Sequence, residues 1–117
     1  MLDKRYIKSE ELLKQAEKVI PLGAQTFSKS KTQFPFGISP YFATHAKGAY
    51  LYDVDGNKYL DFINSLAAIT LGYQDSDVLR AVKEQLTKGT VFSLSSTLEY
   101  EVAEKMCDMV PCAEMVR

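Results

Sequence analysis

The sequence predicts a chain of the α/β class, an α+β arrangement of one helix, a long loop, a β-hairpin and two further helices. Three observations carry that reading. Apolar residues recur at helical spacing near 3–19, 76–88 and 97–110. Between the first and second of these, at 48–62, two runs rich in Tyr, Leu and Phe flank Asp55-Gly56-Asn57. Such side chains suit a half-buried pleated surface, and an Asp-Gly step between them is a strong hairpin signal because Gly56 takes φ > 0 without steric cost. The stretch at 21–47 has neither period and is broken by Pro21, Gly23, Pro35, Gly37 and Pro40.

In the first helix, 3–19, Tyr6, Leu13, Ala16 and Ile20 share one side, and Ile7, Leu12 and Val19 widen the stripe. Lys4, Lys8, Glu11, Lys14, Gln15 and Lys18 fill the other faces, Asp3 is the expected N-cap, and Pro21 with Gly23 stops the helix. The loop at 21–47 carries Phe27, Phe34, Phe36, Ile38, Tyr41 and Phe42. It is too aromatic for a solvated linker, and ordered loops of that length are usually functional. Its Ser28-Lys29-Ser30-Lys31-Thr32 patch lacks the glycine-rich cradle of a phosphate site.

Strands are expected near 49–53 and 58–63, within a hairpin at 48–63. Asp53, Asp55 and Asn57 imitate the start of a calcium loop, but counted from Asp53 the glycine is fourth and the twelfth residue is Asn64. An EF-hand needs glycine sixth and glutamate twelfth, so the turn reading stands. The segment 64–74 is small and apolar, suited to close backbone approach or to core packing.

The helix at 76–88 is capped by Asp75 or Ser76, buries Val78, Leu79, Val82 and Leu86, carries Lys88 at its C-terminal end and stops at Gly89. A loop follows near 89–95. In the helix at 97–110, Ser96 and Glu99 fit a capping box, Leu98, Val102, Met106 and Met109 form the stripe, and Pro111 ends it. Residues 113–117 read as the start of a strand.

Composition narrows the function classes. The chain has 117 residues, enough for one small domain, with 46% hydrophobic and 25% charged residues, against disorder. A net charge of −1, from 14 basic and 15 acidic residues, gives no electrostatic case for nucleic acid or an anionic membrane. The N-terminus lacks the apolar core of a signal peptide, and no apolar run approaches the roughly 18 residues of a membrane helix, so a cytoplasmic protein is expected. Cys107 and Cys112 read as small, partly buried free thiols, and His45, the one histidine, as a loop residue. Two strands and three amphipathic helices bury less than their stripes imply, and a lone hairpin is marginal in water. Nothing near Arg117 resembles a natural terminus, so the N-terminal part of a larger protein is expected.

Several segments resemble the N-terminus of class III, fold-type I, pyridoxal 5'-phosphate-dependent aminotransferases, most closely the glutamate-1-semialdehyde 2,1-aminomutase group. They are Ile20-Pro21-Leu22-Gly23, then Gly48-Ala49-Tyr50-Leu51-Tyr52-Asp53-Val54-Asp55-Gly56-Asn57-Lys58-Tyr59-Leu60-Asp61, then Leu71-Gly72-Tyr73. Glu99-Tyr100-Glu101-Val102-Ala103-Glu104-Lys105-Met106-Cys107 follows, with Val110-Pro111 and Val116-Arg117. The resemblance covers about 20–117.

It implies a homodimeric enzyme acting on an amino donor and a carbonyl acceptor. The cofactor's lysine and its phosphate-binding turn are expected beyond residue 117. It therefore implies no catalytic or cofactor-binding residue in this chain, which alone is expected to be inactive. It does imply a substrate wall. At positions where the aminomutases hold serine and arginine near the substrate carboxyl stand Thr26 and Lys29, and Leu66 stands where they hold tryptophan. Lys29 keeps the charge but not the bidentate fork. These departures suit a related aminotransferase with another acceptor, a sugar or other carbonyl compound. A small interaction domain using its aromatic loop 27–42 is the reading from a different class.

Overall fold

The computed structural model describes residues 4–117, which divide into two compact units, one ending at Val78 and one from Leu79 to Arg117. The expected N-cap, Asp3, lies outside the described residues.

The first helix is shorter than expected. A 3-10 turn, Lys4–Tyr6, leads into α1, Ile7–Ala16, which relaxes into turns through Ile20. The reason lies just beyond it, where Leu22 and Gly23 take φ of 59° and 71° and fold the chain back onto α1. Glycine suits the positive φ at 23, and a Cβ there would stand 2.5 Å from Leu13 Cδ1, so that methyl would have to shift. Among the described residues Tyr6 and Leu13 are the buried apolar side chains, and Ser9, Glu10, Ser30 and Asp53 the buried polar ones. The Ser9 hydroxyl accepts the Tyr41 backbone N–H at 2.7 Å. Glu10 Oε1 and Tyr41 Oη are buried without a hydrogen-bond partner.

The expected hairpin is the outer part of a three-stranded antiparallel sheet. Strands β1, Ala43–Lys47, β2, Tyr50–Asp53, and β3, Lys58–Leu60, lie in the order β1-β2-β3. Lys47 pairs with Tyr50, and Tyr50 with Leu60. The long loop thus contains a strand where irregular structure was expected, and the rest of it holds 3-10 turns at Pro21–Gly23, Phe27–Lys29 and Lys31–Gln33. Ala-Thr-His-Ala-Lys has no alternation of its own and is a strand because β2 pairs with it. His45 is accordingly a strand residue, stacked on Tyr52 with ring centroids 4.3 Å apart. The last strand ends at Leu60 rather than 63, because Asp61 bonds the backbone that follows it.

Helix α2, Ser76–Lys88, is capped by Asp75, whose carboxylate accepts the N–H groups of Asp77 and Val78 at 3.1 Å. Helix α3, Thr97–Met109, has the expected capping box, with Ser96 N–H donating to Glu99 at 2.8 Å and Leu98 N–H to Ser96 Oγ at 3.3 Å. The apolar stripes of both helices were expected to be buried and are exposed: Val82 is 49% and Val102 57% accessible. Nothing in the described residues covers them. Residues 113–117 form no strand, for no neighbouring strand pairs with them. Cys107 is half-buried and Cys112 exposed, so only the first of the two thiols is partly buried as expected. Among the described residues no helix is long and apolar enough to cross a membrane, and no cluster of metal-ligating side chains occurs.

Candidate functional site

The hairpin turn is a fastening, built on two carboxylates. Asp53 is 3% exposed. One oxygen accepts the N–H groups of Asp55 (3.0 Å) and Asn57 (2.7 Å), and the other accepts Asn57 Nδ2 (2.8 Å) and Tyr59 Oη (2.7 Å). Burial works against its charge, but the bonds from Asn57, Tyr59 and Asp55 together hold the carboxyl below its ordinary value. Burial, followed by the bond to Asp53, pushes the Tyr59 phenol well above its usual range.

Asp55 reaches across to α1, whose own N-terminal residue offers no side-chain cap. Its two oxygens accept the N–H groups of Lys8 at 2.8 Å and Ser9 at 2.9 Å. Asn57 Nδ2 also donates to Arg5 O at 2.9 Å. A helix N-terminus offers unpaired N–H groups and positive potential, and a carboxylate answers both. Asp-x-Asp-Gly-Asn therefore locks the sheet to the first helix.

Beyond β3 the segment at 62–73 forms a closed loop. Asp61 Oδ1 accepts the N–H groups of Ile63 (2.9 Å) and Asn64 (3.1 Å), where the loop begins. Its Oδ2 accepts the Tyr73 hydroxyl at 2.6 Å, where the loop ends. Gly48 and Tyr73 exchange backbone bonds of 2.9 and 2.8 Å. The bond from Tyr73 holds the Asp61 carboxyl below its ordinary range, and the same bond raises the Tyr73 phenol.

Inside the loop, Asn64–Ala67 make one helical turn of the left-handed sense, with φ of 54°, 48°, 58° and 68°. Asparagine tolerates this region; Ser, Leu and Ala each cost about 1–2 kcal/mol there. A strain of several kcal/mol persists only where the surroundings impose it, and hydrogen bonds to a carboxylate, about 1.5–3 kcal/mol each, are of the size required. A cavity of about 330 Å³ lies beneath the loop, lined by Gly48, Ala49, Asp61, Asn64, Thr70 and Tyr73 among others.

The sequence-predicted substrate residues fall in two places. Thr26 precedes the 3-10 turn Phe27–Lys29, its hydroxyl 3.3 Å from Ser28 Oγ, and lines a cavity of about 280 Å³ with Ile20, Leu22, Phe27 and Ser30. Lys29, three residues on, is exposed and does not line that cavity. Leu66 sits on the left-handed turn, 74% exposed, and lines neither of these two cavities. Thr26 and Lys29 are thus local neighbours, while Leu66 is presented by a separate loop. Sequence reasoning assigned no site role to Asp61 or Tyr73. Their one signal was that each closes a motif of the resemblance.

The second unit has a more open cavity of about 750 Å³ between the end of α2 and the start of α3, lined by Lys88, Phe92, Ser95 and Leu98 among others. Lys88 is ion-paired with Glu84 at 2.7 Å. A lysine that captures an aldehyde cofactor must be desolvated or otherwise activated to lose its proton. Ten of the 11 lysines are exposed, and Lys31, half-buried, is ion-paired with Glu17. None of these lysines is enclosed in that way among the described residues.

Comparison with known proteins accords with this arrangement. Residues 33–117 match the family model for class-III aminotransferases. The chain is 44% identical over 110 residues to glutamate-1-semialdehyde 2,1-aminomutase 2 of Lachnoclostridium phytofermentans, covering 94% of this chain and 25% of that protein. It is 40% identical over 112 residues to aminomutase 1 of Listeria innocua, covering 96% of this chain and 26% of that protein. Among solved structures, an omega-transaminase from Sphaerobacter thermophilus superposes with a TM-score of 0.79 at 30% identity, over 92% of this chain and 23% of that one. A glutamate-1-semialdehyde aminomutase from Pseudomonas aeruginosa shares the fold, with a TM-score of 0.76 at 23% identity, over 91% of this chain and 23% of that one. The chain belongs to the class-III aminotransferase family. It spans about a quarter of the length of the curated relatives it matches.

Proposed function

We propose that this chain is the N-terminal, substrate-side segment of a pyridoxal 5'-phosphate-dependent enzyme. The enzyme moves an amino group to or within a carbonyl compound, in the manner of a glutamate-1-semialdehyde aminomutase. The observation that carries this reading is about 40% identity to two such aminomutases along nearly the whole chain. The chain's segments are helix α1, the loop after it, the strands β1, β2 and β3, and helices α2 and α3. The cofactor, when bound, stabilises the carbanion formed at the amino-bearing carbon. Its lysine and phosphate cradle belong to the remaining three quarters of such enzymes, and this chain alone is inactive. The full-length protein works as a cytoplasmic homodimer on small-molecule donors and acceptors.

Thr26, Lys29 and Leu66 are its substrate contacts. Thr26 offers a hydroxyl, Lys29 a single positive charge for an anionic end, and Leu66 an apolar surface. Lys29 and Leu66 in place of a guanidinium and an indole favour a second reading, transfer to a sugar or another carbonyl acceptor. Assays of the full-length protein with glutamate semialdehyde alone, and with an amino donor plus a panel of aldehydes, ketones and keto-sugars, separate the two. Conversion of the semialdehyde without added donor supports migration within one molecule. Donor-dependent conversion of an acceptor supports transfer. Inertness of the cofactor-loaded protein toward every substrate contradicts both.

A further inference from the structure

The left-handed turn at Asn64–Ala67 has three L-residues other than asparagine in a backbone region they avoid. None of the four is buried among the described residues, so packing within them does not impose the conformation. The side-chain hydrogen bonds at the two ends of the loop share one member, beside the Gly48–Tyr73 backbone pair that also closes it. Asp61 takes both N–H groups that enter the turn, at 2.9 and 3.1 Å, and the Tyr73 hydroxyl that closes the loop, at 2.6 Å. Its own N–H is held by Ala49 O at 2.9 Å, so the carboxylate is carried on the sheet edge. The turn's internal bonds, Leu66 N–H to Ile63 O at 3.1 Å and Ala68 N–H to Ser65 O at 3.3 Å, do not anchor it to anything outside the loop.

We propose that Asp61 is a positioning residue: by tying both ends of the 62–73 loop it holds residues 64–67 left-handed, and so sets the direction in which Leu66 is presented. This rests on the reading of Leu66 as a substrate contact, but the conformational half stands without it. A carboxylate is suited to the task because it accepts three bonds at once through two oxygens. An asparagine there keeps one oxygen and turns its amide N–H₂ toward one of the donors.

The test uses the full-length, cofactor-loaded protein. Asp61→Asn is expected to raise KM for the carbonyl acceptor about tenfold while changing kcat and cofactor absorbance little. Tyr73→Phe removes one bond and shifts KM the same way by less; it serves if the first variant folds poorly. The decisive variant adds Ser65→Gly and Ala67→Gly to Asp61→Asn, leaving Leu66 in place. Glycine populates the left-handed region freely, so most of the lost KM returns if Asp61 acts through the turn. An unchanged KM in Asp61→Asn, or a folded triple variant with no recovery, overturns the proposal. If the unaltered protein has no aminotransferase activity, the functional reading fails separately. A crystal structure of Asp61→Asn then decides: loss of positive φ at 65–67 supports the proposal, and its retention overturns it.

Discussion

At the scale of single residues, three aspartates organise the first unit, and each uses its carboxylate to satisfy backbone N–H groups. Asp55 caps a helix 46 and 47 residues away in sequence. Asp55→Ala is therefore expected to cost about 0.5–2 kcal/mol, as loss of an N-cap does, while Asp55→Asn keeps most of the stability. Urea midpoints with unchanged slope will show it. Asp53 and Asp61 are both held below the ordinary carboxylate range in the folded protein. An unfolded aspartate titrates near about 3.9. The stability that these two charges supply is thus whole above that value and is lost as pH falls through the depressed folded values. A stability profile from neutral to strongly acid pH should stay level and then drop. Asp53→Asn should lower the level part and flatten the drop.

At the scale of elements, the helices and the hairpin were legible because their signals are local. The Ser96–Glu99 box, the Asp75 cap and the Asp-Gly turn each lie within a few residues of what they control. Ser96→Ala is accordingly expected to cost about 1 kcal/mol and to shorten α3, seen as lost helical circular dichroism at its N-terminal end. What was illegible depends on distant partners. Strand β1 exists through β2. The start of α1 is closed by Asp55 rather than by its neighbours. The turn at 64–67 contains no glycine, so nothing in Asn-Ser-Leu-Ala announces positive φ; its cause, Asp61 with Tyr73, spans 12 residues. Of the candidate site, Thr26, Lys29 and Leu66 were nominated only through the family resemblance, and the left-handed turn that carries Leu66 had no signal of its own.

At the scale of the whole molecule, the described chain leaves most of its large apolar side chains in water. The stripes of α2 and α3 have the spacing of buried faces, yet Leu86 is 61% and Met109 70% exposed. A substitution on such a face reports what covers it. Leu86→Lys is expected to change the stability of the 117-residue chain by less than about 0.5 kcal/mol, as exposed positions do. In a full-length protein that buries the face it should cost several times more. Equal, small effects in both would mean that the face stays open. The chain alone should bind a hydrophobic dye strongly, and the full-length protein weakly. Whether this chain is, as proposed, one part of a pyridoxal 5'-phosphate enzyme is read from the visible spectrum of the full-length protein. Absorbance from the lysine-bound cofactor, bleached by borohydride and absent from the 117-residue chain, is expected. A full-length protein that stays colourless after incubation with the cofactor would contradict it.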